Sequence, residues 1–185
     1  MNSPLCDYEI AEMAEKYGMI EPFVGERRQK PGRLSYGLCP ASYEVRMRPQ
    51  MKLFLPSDKV IDPLDRSTFS CEEVSGNEII MPPHSFGLTV TLEYFRIPKN
   101  IMCICIGKST YARCGIVLNV TGIDNGAEAE IVLELSNTSP CPVKIYAGED
   151  SGICKFIFFR TSECGISYNG NYQNQTGITL PTSKI

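Results

Sequence analysis

The chain has 185 residues, of which 43% are hydrophobic and 21% are charged, and its formal net charge is −3. This length and composition predict a single globular domain, residues 1–185, with a real core. The weak net charge argues against a basic nucleic-acid-binding surface. The chain has no run of about 18 apolar residues, so we expect no membrane partner.

The nine cysteines are scattered along the chain and form no C-x-x-C pair. Several stand in apolar runs, which is typical of reduced, packed thiols. Acidic residues near the N-terminus leave no apolar core for a signal peptide. We therefore expect a cytoplasmic protein with reduced thiols.

The first predicted element is the one long helix, at residues 4–17. Ser3 suits the N-cap, Pro4 the first helical position and Gly18 the stop. The helix would pack one apolar face on a sheet. That face consists of Leu5, Ile10, Met13, Ala14 and Tyr17.

Residues 24–40 hold several glycines, prolines and basic side chains, and their composition is that of a loop. The basic side chains of such a loop are either solvated or contact phosphate. Alternation at residues 43–47 then suggests a strand.

From there, short apolar runs recur between turn residues, and this spacing predicts an all-β sandwich or barrel. The runs are residues 52–55, 78–81, 86–94, 102–106, 115–120, 130–135, 143–146 and 153–159. The polar tail, about residues 165–185, is either a loose terminus or a lid. Its mixture of Tyr168, Tyr172 and Gln175 favours the lid.

The single histidine, His84, excludes several chemistries. A Ser-His-Asp triad would have to use His84, which follows Pro82 and Pro83 in a predicted turn, and nothing near it resembles a nucleophile elbow. The H-x-E and P-C-x-x-C motifs of zinc deaminases are absent, as are a Walker A loop and G-x-G-x-x-G. Carboxylate chemistry without zinc remains.

Glu134 is the candidate carboxylate. In residues 131–136, which read IVLELS, strand alternation puts Val132, Glu134 and Ser136 on one face. In a pocket, Glu134 would be partly desolvated, and its pKa would rise toward the range of a general base. A solvated strand carboxylate is the alternative, and spacing alone favours it.

Residues 108–113, which read KSTYAR, form a candidate phosphate cradle. Ser109 as the N-cap of a short helix would leave backbone N–H groups for an anion, and Arg113 lies one turn later. A capped helical turn with a surface arginine is the alternative.

Together these segments resemble the dCTP deaminase family of the dUTPase superfamily. The match rests on residues 107–115 (GKSTYARCG), 119–121 (NVT) and 133–138 (LELSNT), and further stretches extend it over nearly the whole chain. The resemblance implies a mainly β, distorted jelly-roll-like barrel of the dUTPase type with an N-terminal helix. It also implies a homotrimer with active sites between subunits.

The implied reaction is hydrolytic deamination of dCTP to dUTP and ammonia, which would feed dUMP and dTTP synthesis. Mg²⁺ would bind through the nucleotide phosphates, and dTTP is the candidate feedback inhibitor. Glu134 would be the general base, while Ser109 and Arg113 would orient water and stabilise charge. The implied nucleotide contacts are Lys108, Thr110, Tyr111, Ala112, Val120, Asp124, Val132, Lys155, Tyr168, Tyr172 and Gln175.

Three departures from the family pattern affect the expected site. The usual Pro-Gly-Trp-Glu-Gly turn reads NGAEA at residues 125–129, so Ala127 replaces a bulky aromatic. Asn171 replaces a tail lysine, and Lys155 replaces a glutamine. We therefore predict that Lys155 takes over the lost phosphate contact.

Three other functions stay open. One is a bifunctional enzyme that also cleaves the triphosphate and releases dUMP, because both kinds of relative place an acid at the position of Asp124. The departures motivate the other two. Another is a diverged nucleotide-binding trimer without turnover. The last is an enzyme for a modified or less phosphorylated cytosine nucleotide.

Overall fold

The computed structural model describes residues 3–181, which form a mainly β domain. The helices are α1 (Asp7–Tyr17) and α2 (Ser109–Ala112), with a 3₁₀ turn at Arg66–Thr68. The strands are β1 (Ile20–Glu21), β2 (Arg27–Arg28), β3 (Tyr36–Cys39), β4 (Ser42–Arg46), β5 (Gln50–Phe54), β6 (Cys71–Ser75), β7 (Glu78–Met81), β8 (Phe86–Arg96), β9 (Ile101–Gly107), β10 (Ile116–Leu118), β11 (Thr121–Ile123), β12 (Glu128–Asn137), β13 (Val143–Tyr146) and β14 (Gly152–Arg160). Within residues 3–181 no helix has the length and apolar character needed to cross a membrane.

The strands pair in an antiparallel manner and form two large sheets. The first has the order β10-β12-β8-β5-β6, with β1 also paired to β8. The second has the order β11-β9-β14-β4-β3-β2, and β13 with β7 makes a small third sheet. The all-β prediction is therefore confirmed.

The core lies between the two large sheets. Phe95 of β8 and Phe156 of β14 approach to 4.6 Å between ring centroids, and both rings are fully buried. Aromatic pairs at this distance add to the free energy gained by removing their apolar surface from water. This packing fixes the first sheet, whose strand β12 carries Glu134, against the second.

Helix α1 begins later than the sequence predicts. Its N-cap is Cys6, whose backbone N–H donates to Glu9 Oε2 at 3.1 Å, so Ser3 does not cap it. Pro4 instead bridges Phe159, because the chain before Cys6 runs extended beside β14. Gly18 ends the helix in the left-handed conformation, with φ 67°, as predicted.

The predicted apolar face of α1 is also partly wrong. Ile10 and Ala14 are buried in the helix, whereas Tyr17 is 64% exposed. Leu5 is buried but precedes the helix. The helix therefore packs with a narrower face than the sequence pattern suggests.

Composition misled the strand prediction in two places. The predicted loop 24–40 contains β2 and all of β3, because the pairing of β2 with β3 and of β3 with β4 orders this segment despite its glycines. Strand β6 was not predicted, because its sequence CEEVS lacks an apolar run and its side chains are largely exposed. Both segments take their structure from neighbouring strands rather than from local hydrophobicity.

Candidate active site

One large cavity, of about 720 Å³, opens between the first sheet, strand β11 and the tail. Its walls are mostly apolar, with a few polar groups at one side. The lining residues are Phe54, Ile61, Pro63, Phe69, Phe86, Leu88, Thr121, Gly122, Ile123, Asp124, Ala127, Ala129, Ile131, Val132, Glu134, Tyr168, Tyr172, Gln175, Thr179 and Pro181. A concave apolar site with a few convergent polar groups is typical of small-molecule binding.

Glu134 projects into this cavity from β12. The strand alternates as predicted, because Leu133 and Leu135 are buried in the core while Glu134 is only partly buried. Burial raises the pKa of the Glu134 carboxyl, and hydrogen bonds from its own backbone and from Thr121 counter part of that rise. A carboxylate with a raised pKa in an apolar pocket suits general-base work.

The wall beside Glu134 is aromatic and aliphatic. In the pairing of β12 with β8, Glu134 lies opposite Leu88. Phe86 of the same strand packs edge-on against Phe54, with ring centroids 4.9 Å apart. These apolar groups remove the carboxylate from bulk water, which is the origin of its raised pKa.

Asp124 and Val132 also line the cavity, as the resemblance implies, but Val120 does not. Asp124 is exposed on the turn after β11, and Val132 lies two residues before Glu134 on the same face of β12. Val120 is 71% exposed and lies outside the cavity wall of residues 3–181.

The tail covers the cavity, where the sequence analysis expected a lid. Tyr168, Tyr172 and Gln175 all line it, while residues 182–185 of the predicted lid lie outside the described residues. The Gln175 side chain is engaged within the protein, since Nε2 donates to the Glu130 carbonyl at 3.0 Å and Oε1 accepts from Thr179 at 2.7 Å.

The turn that departs from the family pattern forms the floor of the cavity. Ala127 and Ala129 are buried and line it, so their small side chains leave the floor open. Gly126 has φ +82° and lies so close to Ser167 that a Cβ atom would overlap that side chain. A glycine is therefore required where the turn meets the base of the tail.

Helix α2 carries the other proposed catalytic residues. Ser109, Thr110, Ala112 and Arg113 are exposed, and in the described chain none of them is part of the cavity wall. The N-cap is Lys108, with Ser109 as the first helical residue, so the predicted N-cap at Ser109 is wrong. The reason is that the chain stays extended through Lys108, whose side chain turns into the protein.

Tyr111 is a packing residue in this structure. It is buried, and its hydroxyl accepts a hydrogen bond from the Tyr146 backbone N–H at 2.8 Å. Burial raises the pKa of Tyr111 to about 12. The ring therefore anchors α2 to strand β13.

A cluster of cations surrounds Glu44 on the second sheet. The buried Lys108 ammonium lies 2.6 Å from Glu44 Oε1 and donates to Ser35 Oγ at 3.1 Å. Arg27 lies 3.6 Å and Lys155 3.9 Å from the same carboxylate. Burial alone would raise the pKa of Glu44, but hydrogen bonds from Lys108 and Ser35 and the nearby charges hold it below its ordinary value.

Sequence reasoning did not single out Thr121, Arg48 or Glu130. Thr121 donates to Glu134 Oε2 at 3.4 Å. It ends the NVT stretch at residues 119–121, but no local pattern indicates that its hydroxyl meets a carboxylate on β12. The buried Glu130 pairs with Arg48, whose side chain is 43% exposed, and the two residues are 82 positions apart in the chain. Only the position of Glu130 on β12, the strand of Glu134, hinted at a role.

The mainly β fold with its N-terminal helix agrees with the fold class that the sequence analysis expected. It resembles the crystal structure of 2′-deoxycytidine 5′-triphosphate deaminase from Agrobacterium tumefaciens, with a TM-score of 0.63 at 16% identity over 86% of this chain. The present chain spans 48% of that crystal chain.

The family model described as dCTP deaminase-like matches residues 5–161, and the chain belongs to this family. It is 47% identical to the dCTP deaminase of Granulibacter bethesdensis, over 97% of this chain and 98% of that protein. It is 48% identical to the dCTP deaminase of Wolbachia sp. subsp. Drosophila simulans, over 96% of this chain and 97% of that protein.

Proposed function

We propose that this protein hydrolyses the exocyclic amine of dCTP and releases dUTP and ammonia, with Glu134 as the general base. The observation that carries the proposal is the half-buried Glu134 carboxylate, whose pKa burial raises, in an apolar cavity under a polar tail. The names of the relatives support the substrate, because relatives matched over nearly the whole chain are dCTP deaminases.

In the proposed reaction, Glu134 takes a proton from water as the water oxygen adds to C4 of cytosine. The proton passes to N3, so the C4–N3 double bond becomes single. Glu134 then moves the remaining hydroxyl proton to the amino nitrogen, the C4–N bond breaks, ammonia leaves and C4 becomes a carbonyl. Glu134 ends the cycle ionised, and general-base help of this kind contributes about 10²- to 10⁴-fold in rate.

We further propose that Ser109 and Arg113 reach the site from a neighbouring subunit of a homotrimer. Both are exposed on a short helix and, in the described residues of one chain, both lie outside the cavity that holds Glu134. An arginine and a hydroxyl brought in by a second copy would orient the water and stabilise the negative charge that develops on the substrate.

The phosphates are proposed to bind at residues 108–113, Lys155 and the tail. These side chains offer cations and hydroxyls, a donor set that suits phosphate oxygens rather than a metal ion. Mg²⁺ would therefore be held by the nucleotide, where it neutralises phosphate charge. The excess of cations around Glu44 supports a role for Lys155 at this end of the nucleotide. Inhibition by dTTP remains a prediction.

A product assay tests the reaction. The purified protein is incubated with dCTP, dUTP, dCMP or CTP plus Mg²⁺, and the products are separated by chromatography. We expect dUTP from dCTP alone; dUMP with pyrophosphate would replace this proposal by the bifunctional reaction, and no turnover of any nucleotide would contradict it.

The Glu134→Gln variant tests the assigned base. It keeps the shape of the side chain but cannot accept the proton, so we expect a loss of about 10²- to 10⁴-fold in kcat. Glu128→Gln is the matched control, because Glu128 lies on the same strand outside the cavity wall. A Glu134→Gln variant that deaminates at the parent rate would contradict the assignment of Glu134 as the general base.

A further inference from the structure

Glu130 is a buried carboxylate that the proposed reaction does not use. Its side chain is 6% exposed, and a carboxylate so buried needs close hydrogen-bonding partners. Arg48 supplies a fork, since Nε donates to Oε2 at 3.1 Å and Nη2 donates to Oε1. The backbone N–H of Gly177, in the tail, donates to Oε2 at 2.8 Å.

The backbone of Glu130 is bonded to the same part of the tail. Its N–H donates to the Gln175 carbonyl at 3.1 Å, and its carbonyl accepts from Gln175 Nε2 at 3.0 Å. A bulge in the pairing of β12 with β8, between Glu130 and Val132, marks the point of attachment. The N–H, the carbonyl and both carboxylate oxygens of Glu130 are therefore bonded to Arg48 or to the tail.

This attachment fixes the tail in the register that covers the cavity. Tyr172 precedes the attached segment, Thr179 and Pro181 follow it, and all three line the cavity together with Gln175. Arg48 lies in the segment that connects β4 and β5, so it contacts the carboxylate from the body of the fold and not from the tail. The Arg48–Glu130 pair thus attaches the polar tail to the body of the fold.

We propose that Arg48 and Glu130 form a latch that holds the tail closed over the bound nucleotide, so that both act as positioning residues. This inference rests on the proposed function only in its statement about the nucleotide. Without Arg48, the buried carboxylate keeps one donor within residues 3–181, the backbone N–H of Gly177. Opening the tail would hydrate that charge, so the open state gains stability relative to the closed one.

Backbone hydrogen exchange of the nucleotide-free protein tests the latch without reference to catalysis. In Arg48→Ala we expect the amides of residues 175–177 to exchange about tenfold faster or more, with β9 and β14 unchanged. In Arg48→Ala/Glu130→Gln, which also removes the orphaned charge, we expect part of the protection to return. Arg160→Ala is the matched control, because Arg160 pairs with Glu9 at 2.9 Å between β14 and α1.

Steady-state kinetics with dCTP test the effect on the nucleotide. We expect Arg48→Ala to raise KM by about tenfold with a smaller change in kcat, because the tail binds the nucleotide and Glu134 does the chemistry. Tail exchange at the parent rate, or faster exchange with unchanged KM, would overturn the latch. If Arg48→Ala does not fold, Arg48→Lys, which keeps the charge but not the fork, takes its place with smaller effects in the same direction.

A protein that turns over none of the nucleotides contradicts the proposed function and leaves the exchange experiment as the test of the latch. In that case dCTP binding replaces KM as the second measurement. Faster tail exchange with weaker dCTP binding would support the latch, and unchanged exchange would still overturn it.

Discussion

The Thr121 hydroxyl donates a hydrogen bond to Oε2 of Glu134 at 3.4 Å, and this bond opposes the effect of burial on the carboxylate. Burial disfavours the charged form and raises the pKa of Glu134, whereas a donor that faces the carboxylate favours the charged form. Thr121 lies on β11 of the second sheet and Glu134 on β12 of the first. The protonation of the proposed base therefore depends on how the two sheets meet.

The first prediction concerns the pH dependence of activity. A general base must be ionised, so kcat/KM is expected to fall on the acid side as Glu134 gains a proton. Because burial raises the pKa of Glu134, this acid limb is expected above the ordinary carboxyl value of 4.5. Thr121→Val keeps the shape of the side chain but removes its hydroxyl donor. It should therefore move the acid-side fall of kcat/KM to still higher pH.

The measurement is a pH profile of kcat/KM for the parent and for Thr121→Val. Thr138→Val serves as the control, because Thr138 is exposed and donates to the Gly115 carbonyl at 2.9 Å rather than to Glu134. An acid limb that stays in place, or moves to lower pH, would show that Thr121 does not tune the base.

The second prediction is that two inactive variants restore each other. If α2 of one subunit completes the cavity of the next, a trimer that mixes Glu134→Gln with Arg113→Ala contains some sites built from two intact halves. When the two variants mix randomly in equal amounts, half of the subunits carry an intact Glu134 and the other half an intact Arg113. A site needs one of each from neighbouring subunits, so about one quarter of all sites are intact. The quarter averages over all trimers, including those made of a single variant, which have no intact site. A trimer that contains both variants has one intact site of its three, so the purified mixed trimers are expected to show about one third of the parent activity.

Co-expression of the two variants, with purification of trimers that carry both tags, provides the measurement. Each variant alone supplies the control, since every one of its sites lacks one group. Mixed trimers no more active than the single variants would place Glu134 and Arg113 of the same chain in one site.

The third prediction concerns Lys155, which lies 3.9 Å from Glu44 and is 35% exposed. If its ammonium binds a phosphate of the nucleotide, Lys155→Gln should raise the Kd for dCTP several-fold, as expected for the loss of one charge-assisted hydrogen bond. The loss should shrink as salt is added, because partly exposed charges are screened.

Isothermal titration of Lys155→Gln with dCTP checks the effect. Lys144→Gln is the control, because Lys144 is a similarly exposed lysine, on β13, that pairs with Glu78 at 2.7 Å. Equal dCTP affinity for the parent and Lys155→Gln would remove Lys155 from the phosphate site.

Sequence reasoning succeeded where the signal is local. Alternation in residues 131–136 predicted which face of β12 carries Glu134, because the side chains of a strand alternate whatever its partners are. The composition of the tail likewise suggested a lid, and the structure brings Tyr168 and Gln175 to the cavity.

Sequence reasoning failed where the partner is distant in the chain. The resemblance implied Lys108 as a nucleotide contact, but no local pattern indicated that its ammonium is buried against Glu44 on another strand. The pairing of Arg48 with Glu130 spans 82 residues and has no periodic signature. Electrostatic partners of this kind are set by strand order, which a single sequence does not reveal.

The last prediction concerns Asn137, which ends β12, the strand that carries Glu134. Its buried Nδ2 lies 3.1 Å from the Met81 carbonyl and 2.8 Å from those of Pro82 and Cys141. Asn137→Asp turns the donor group into an oxygen that faces these carbonyls in a buried site. We expect it to lower the free energy of unfolding by about 3 kcal/mol or more.

Urea unfolding followed by circular dichroism measures this loss, at one protein concentration because any assembly contributes to apparent stability. Asn119→Asp, at an exposed position near the other end of the same strand pair, is expected to change stability by less than about 0.5 kcal/mol. Equal stability of Asn137→Asp and the parent would show that these contacts do not hold the end of β12. A loss confined to Asn137→Asp would show that the strand carrying Glu134 is fixed by its C-terminal hydrogen bonds as well as by its pairing with β8.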